Sequence, residues 1–463
     1  MDADALLLSR LQFAFTVAFH IVFPSFTIGL ASYLAVLEGL WLATRRDVFK
    51  NLYLFWVKVF ALAFGMGVVS GVVISYEFGT NWSAFSAAAG SVLGPLLGFE
   101  VLTAFFLEAS FLGIMLFGWR RVGPGLHFLA TVLVAFGTLV SAFWILSANS
   151  WMQTPAGFER LADGRFVATD WWRVIFNPSF PSRFAHMVLA AYLTTGLVVL
   201  ATAAWSVLRG RATAEARTMA RMAIGLVAVL APLQLVVGDV SGKVALEYQP
   251  LKIAAVEAYW ETRARQPSIL FALPDAAQET NRAEIAIPEI GSWVVAGDAN
   301  AVIKGLKEWP AADRPPVAIV FWSFRLMVGL GLLMIALGLW GAALWATRRL
   351  DRPGLFHWIA VPMGAGGFAA VLAGWVVAEA GRQPFTVYGA LRTAASVSPV
   401  PAEQVATSLL VYLIVYAIVF VAGALYILRL LDQGPSGLPG LPADEHRAPG
   451  SPLAVAPGDT PAR

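Results

Sequence analysis

The length of its apolar runs constrains this chain more than any other feature. Hydrophobic stretches of roughly 20 residues or more recur from end to end, the length an α-helix needs to cross about 30 Å of hydrocarbon. About nine such spans can be drawn, at 11–42, 53–77, 95–118, 126–148, 183–208, 221–239, 317–345, 356–379 and 407–431. Only 13% of residues are charged, against about a quarter in soluble domains, so lipid is the expected solvent. The fold class that follows is all-α, a polytopic membrane helical bundle. Met1–Ala5 carries Asp2 and Asp4 in place of a basic flank, and the first span is too long for a signal-peptide core, so it is read as a retained helix.

Basic residues alternate between loops. Arg45, Arg46 and Lys50 follow the first span, Arg120 and Arg121 the third, Arg209, Arg211 and Arg217 the fifth, and Arg348, Arg349 and Arg352 the seventh, which assigns these ends to the cytoplasm. The stretch Gly79–Gly94, free of Lys and Arg, reads as a loop on the other face. The N-terminus is then outside and the C-terminus cytoplasmic. The chain divides into a membrane bundle of about six spans (1–239), an extracytoplasmic loop (240–316), a bundle of about three spans (317–431) and a Pro- and Gly-rich disordered cytoplasmic tail (432–463). Within the loop, 242–265 reads as a partly helical amphipathic stretch and 267–316, broken by six prolines, as irregular.

Composition excludes several chemistries. The chain has no cysteine, which removes disulfides, iron–sulfur clusters and covalent haem attachment, so any metal must be held by His, Met or carboxylate. Five histidines are too few for a haem–copper oxidase, and they are not paired on the helices as a bis-His cytochrome b requires. The net charge of +3 is spread over loops with no basic stripe, which argues against nucleic acid as a partner.

Ionisable residues inside a span are costly and are therefore functional candidates. His20 lies well within the first span, either as a packing histidine or as a haem ligand. His186 stands just inside the fifth span, where an interfacial role competes with ligation. Met327, in Trp-Ser-Phe-Arg-Leu-Met, is core filler or, beside Arg325, a haem ligand. Arg325 needs an anionic partner, and haem propionates would serve. A His plus Met pair suits a haem of raised potential that only transfers electrons. Glu379 ends the eighth span with Arg382 three residues on, either as a salt bridge or as a ligand. With the orientation above, His20, His186, Met327 and Glu379 share one outer layer. Glu100 and Glu108 lie eight residues apart on the third span, about 80° of rotation, as structural acids or a proton relay. His127, His357 and His446 read as interfacial or solvated.

These residues, in this order, resemble the haem-bearing large subunit (subunit I) of cytochrome bd-type quinol oxidases, over roughly 9–431. The resemblance is carried by Ser-Arg-Leu-Gln-Phe-Ala-Phe-Thr before His20, by Gly238-Asp-Val-Ser-Gly242, by Phe321-Trp-Ser-Phe-Arg-Leu-Met-Val-Gly329 and by Gly381-Arg-Gln-Pro384. It implies that His186 and Met327 ligate a low-spin haem b with Arg325 supporting its charge. His20 would bind haem d and Glu379 a high-spin haem b, giving two b-type haems and one haem d. Glu100 and Glu108 would lie on the proton path with Ser141, and Trp375 among the haems. Lys252 and Glu257 would act in quinol oxidation, although about 140° of rotation separates them on one helix. Partners implied are a second large membrane subunit, small single-helix subunits, membrane quinol and oxygen, in the bacterial cytoplasmic membrane. Phe385 departs from the Trp usual after Arg-Gln-Pro, and the loop lacks a long insertion, as in the short quinol-loop branch.

The implied activity is quinol oxidation at the outer face and reduction of oxygen to water, building a proton gradient without pumping. A cyanide-insensitive or all-haem-b oxidase is the nearest alternative. A haem-free ion or solute transporter would use the same acids and leave His20 and Met327 unexplained, and a haem carrier without oxygen chemistry would not need the acid relay.

Overall fold

The structure is a computed structural model that describes residues 3–435. Among the described residues, nine helices are long and apolar enough to cross a membrane. They are α1 (Ala3–Thr44), α2 (Asp47–Thr80), α3 (Ser83–Phe117), α4 (Pro124–Gln153), α5 (Phe180–Leu208), α6 (Ala214–Tyr248), α8 (Val317–Ala346), α9 (Leu355–Ala380) and α10 (Ala402–Gln433), with a short α7 (Pro250–Glu257) between α6 and α8. Every expected span falls on one of them, eight wholly within a helix and 95–118 ending one residue past Phe117. Most helices overrun the apolar runs by several residues; α6 starts where Thr213 accepts the Ala216 amide, and Pro124 occupies the first turn of α4.

Three boundaries need correction. Gly79–Gly94 is not a loop, since α2 runs to Thr80 and α3 begins at Ser83; this stretch is rich in Ala, Ser and Gly, which lowers its hydropathy without breaking a helix. The division at 239/240 falls inside α6, whose 35 residues extend about 50 Å, well beyond a hydrocarbon core. The tail boundary at 431/432 falls inside α10, and 436–463 lie outside the described residues.

Helix α5 is the hub, packing against α1, α6 and α9, while α8 closes a four-helix group with α5, α6 and α9. The connections α4–α5, α6–α8 and α9–α10 gather at one end of the bundle. Each carries a hairpin: β1 (Phe158–Arg160) with β2 (Phe166–Ala168), β3 (Ser268–Asp275) with β4 (Thr280–Ile287), and β5 (Phe385–Val387) with β6 (Leu391–Arg392). The region 267–316 is therefore not irregular throughout. Pro267 before β3, Pro288 after β4 and Pro316 before α8 sit at element edges, where a missing N–H costs nothing, while Pro274 lies within β3 one residue from its end, opposite Asn281. Asp275 closes the β3–β4 turn by accepting the Ala277 and Gln278 amides, and Ile269 and Ala272 bury the hairpin against α7 and α8.

Candidate haem and quinol sites

His20 and Ser70 face each other across α1 and α2, with Nδ1 3.0 Å from Oγ. The Ser70 hydroxyl donates to the Met66 and Gly67 carbonyls, so Nδ1 is the donor to Ser70 and the lone pair is left on Nε2. An imidazole fixed in that tautomer is prepared to bind a metal. A Cβ at Gly71 would stand 3.2 Å from His20 Cε1, so only glycine leaves the ring this room.

His186 on α5 and Met327 on α8 enter the same four-helix group. The His186 ring lies against Gly238 of α6, and a Cβ at Gly374 of α9 would stand 2.8 Å from Met327 Sδ. Gln234 donates to the His186 carbonyl at 3.1 Å and approaches Nε2 at 3.2 Å, while the buried Nδ1 has no partner. An imidazole and a thioether in glycine-lined space fit a low-spin haem. Trp375, next to Gly374, is half-buried.

Glu379 joins the most extensive polar network. Its carboxylate pairs with Arg382 and accepts from Asn149 Nδ2 at 3.0 Å and Gln153 Nε2 at 3.3 Å. Arg183 donates to Asn149 Oδ1 at 2.5 Å, and Lys252 Nζ donates to Gln153 Oε1 at 2.5 Å and to Gln249 Oε1 at 2.7 Å. Arg183, Lys252 and Arg382 thus gather around one carboxylate, and Nε of both arginines is buried without a partner. Such an excess of buried positive charge calls for a further anion, and haem propionates have that chemistry. Burial first, then the Arg183 guanidinium, pushes the Lys252 ammonium well below its usual range.

Arg325 is not left for a propionate. Its guanidinium donates to Glu257 Oε2 at 2.7 Å and to the Ile269 and Val256 carbonyls, and it lies 4.4 Å over the Phe321 ring. The cause is local: α7 ends at Ala258 in the left-handed region, which turns Glu257 toward α8. Lys252 and Glu257 are both buried, not solvated, and point to different partners, as their angular separation requires.

Glu100 accepts Ser141 Oγ at 2.7 Å. Between Glu100 and Glu108 the helix widens into a π-turn, Val101–Phe105, which sequence periodicity does not reveal. One added residue removes about 100° of rotation, so the expected 80° becomes roughly 20° in the other sense, and the two acids share one line. Both face α4, Glu108 packing so tightly on Gly137 that a Cβ there would meet its Cγ at 2.6 Å.

His127 and His357 stand at the helix ends expected of them but are buried, not solvated. His127 is 2% exposed and paired with Glu38 at 2.6 Å, with Thr131 on the other carboxylate oxygen, while His357 is buried with Nε2 2.9 Å from the Leu350 carbonyl. Glu38, Ser70, Asn149, Gln153, Gln234 and Gln249 were missed; Asn149 and Gln153, one turn apart in Asn-Ser-Trp-Met-Gln, are the pair that polar spacing alone would have flagged. His446 lies outside the described residues.

Comparison with known proteins covers nearly the whole chain. Residues 8–435 match the family model of cytochrome bd terminal oxidase subunit I. The cytochrome bd ubiquinol oxidase subunit 1 of Bacillus subtilis (strain 168) is 35% identical, covering 93% of this chain and 94% of its own. The cytochrome bd-II ubiquinol oxidase subunit 1 of Escherichia coli (strain K12) is 31% identical over 94% of this chain and 98% of its own. The structure of bd oxidase from Geobacillus thermodenitrificans superposes with a TM-score of 0.86 at 30% identity, over 93% of this chain and 99% of that one. Sequence and fold agree across the same residues, and the chain belongs to the cytochrome bd terminal oxidase subunit I family, a membrane-embedded subunit of a quinol:oxygen oxidoreductase.

Proposed function

We propose that this chain oxidises quinol beside Lys252 and Glu257 and reduces oxygen to water deeper in the bundle, at the end that carries the hairpins. His186 and Met327 would hold a low-spin haem b, His20 a haem d and Glu379 a high-spin haem b. These groups, when bound, supply one-electron transfer and oxygen binding. The observation that carries the reading is the chain Lys252–Gln153–Glu379–Arg382, which ties the loop helix α7 directly to a candidate ligand.

The residues divide the work. Lys252 donates to two amide oxygens, which a neutral amine satisfies with its two N–H groups, keeping a lone pair for a quinol hydroxyl. Its lowered proton affinity favours that form. Glu257, neutralised by Arg325, positions the loop and is not the freer base. Glu100 and Glu108, aligned by the π-turn, would pass protons from the opposite face. Protons released at the hairpin end and consumed from the other face separate charge without a pump, which requires the N-terminus outside and the C-terminus in the cytoplasm. The segment between α6 and α8, 249–316, is the quinol loop of a short-loop member, the membrane is the bacterial cytoplasmic membrane, and the second large subunit with small single-helix subunits completes the complex.

The test is a dithionite-reduced minus air-oxidised spectrum of the purified complex with pyridine haemochrome analysis. Low-spin haem b bands together with a far-red chlorin band are expected. Haem b alone would replace this reading with the all-haem-b version.

A further inference from the structure

A further buried acid stands outside this scheme. Glu77 on α2 is 0% exposed, and neither of its carboxylate oxygens has a donor within 3.5 Å, although Gln12 and Thr16 of α1 are near enough to act on its charge. It faces Gln12 and Thr16 of α1, and Tyr416 of α10 lies within its electrostatic reach. Gln12 Nε2, Ser9 Oγ, Asn81 Nδ2 and Tyr416 OH are buried and unpartnered too. Ser9, Gln12, Thr16 and His20 recur at three- and four-residue steps, one stripe of α1, and Ser70 and Glu77 lie two turns apart on the facing side of α2. The stripe therefore runs from His20 to the hairpin end. There Ser408 donates to Gln12 Oε1 at 2.9 Å, at a shallow surface cleft on α10 that it lines with Glu403, Gln404 and Thr407.

Buried polar groups are rarely left orphaned, and a polar seam that concentrates donors around an unpaired acid has the chemistry that ordered water satisfies. We propose that the α1–α2–α10 seam is a water-holding passage from the cleft to His20, with Glu77 as its proton-exchanging group, and that water formed in oxygen reduction leaves through it. The last clause rests on the proposed oxygen chemistry; hydration of the seam does not.

The experiment is infrared difference spectroscopy of the intact resting complex, perfused alternately with H2O and D2O. A carboxyl or carboxylate band absent from Glu77→Gln should shift within seconds of the switch. Gln12→Leu, which blocks the seam between the cleft and Glu77, should keep the band and slow its shift. A Glu77 band that needs hours to shift, the time of protein opening, overturns the proposal; so does a Glu77→Gln spectrum identical to the parent. Should Glu77→Gln not assemble, the shift rate in Gln12→Leu decides alone: unchanged exchange refutes the passage. Since no turnover is needed, a failure of the oxygen-site assignment leaves the exchange result standing.

Discussion

Two sets of carboxylates inside this bundle live in opposite surroundings. Glu379 sits among Arg183, Lys252 and Arg382, tied down by Asn149 and Gln153. Glu100 and Glu108 are instead met by a serine hydroxyl and a glycine backbone on α4. The first environment fixes a charge in place, because moving it would strand the Arg183 and Arg382 guanidiniums. The second leaves a carboxyl room to gain and lose a proton. The same residue type thus serves anchoring in one region and transfer in the other, and the neighbours decide which.

The contrast breaks most visibly at Glu379. Replacing it with Gln removes the anion and leaves the two guanidiniums of Arg183 and Arg382 uncompensated, a loss of about 3–5 kcal/mol when a buried pair is broken. Glu379→Gln should lower both the thermal midpoint of the complex and its haem content per protein. Normal haem content would show that the network neither binds nor supports a haem. Glu108→Gln should behave differently, keeping fold and haem while turnover with quinol and oxygen falls about 100-fold, the scale of a lost proton-transfer group. If Glu108→Gln instead loses haem and stability, the two regions are alike and the relay reading fails.

Lys252 sharpens the comparison from the loop side, because its environment acts on the ammonium rather than on a carboxylate. Its proton affinity is lowered on folding, so below the ordinary lysine range the unfolded chain binds a proton that the folded one resists. The cost is present at low pH and fades as pH rises to the unfolded value. Lys252→Met should therefore flatten the rise of stability with pH over that window, read from thermal midpoints across a pH series. Quinol oxidation should slow while the haem bands stay. An unchanged pH profile would mean that Lys252 stays charged in the fold.

The spans were legible because hydropathy is a property of each run by itself. The ligand candidates were legible for the same reason, as single polar residues where lipid forbids them. Partnerships were not, since they join residues far apart in sequence: Glu38 with His127, Arg325 with Glu257, and Asn149 with Glu379. Arg325 was assigned a missing anion because the bend at Ala258 that delivers Glu257 leaves no periodic trace. The π-turn was equally hidden, although it sets the alignment of the proposed proton path. The β3–β4 hairpin was missed by counting prolines without asking whether they fall inside an element or at its edge.

The smallest expected effect concerns Phe385, where the family resemblance implies a Trp. Phe385 lies in β5 with the Arg392 guanidinium 5.1 Å over its ring, and Arg392 also pairs with Asp313 in the loop. The residue thus links the α9–α10 hairpin to the segment before α8, one step from the Arg382 network. A Trp ring holds a cation more strongly than Phe, so Phe385→Trp should add about 0.5–1 kcal/mol at this half-exposed pair. The haem bands should move little, since Phe385 touches the hairpin rather than a ligand. A large spectral shift without a change in thermal midpoint would reverse that placement, making residue 385 part of the haem surroundings and extending the anchoring region of Glu379 to the hairpin itself.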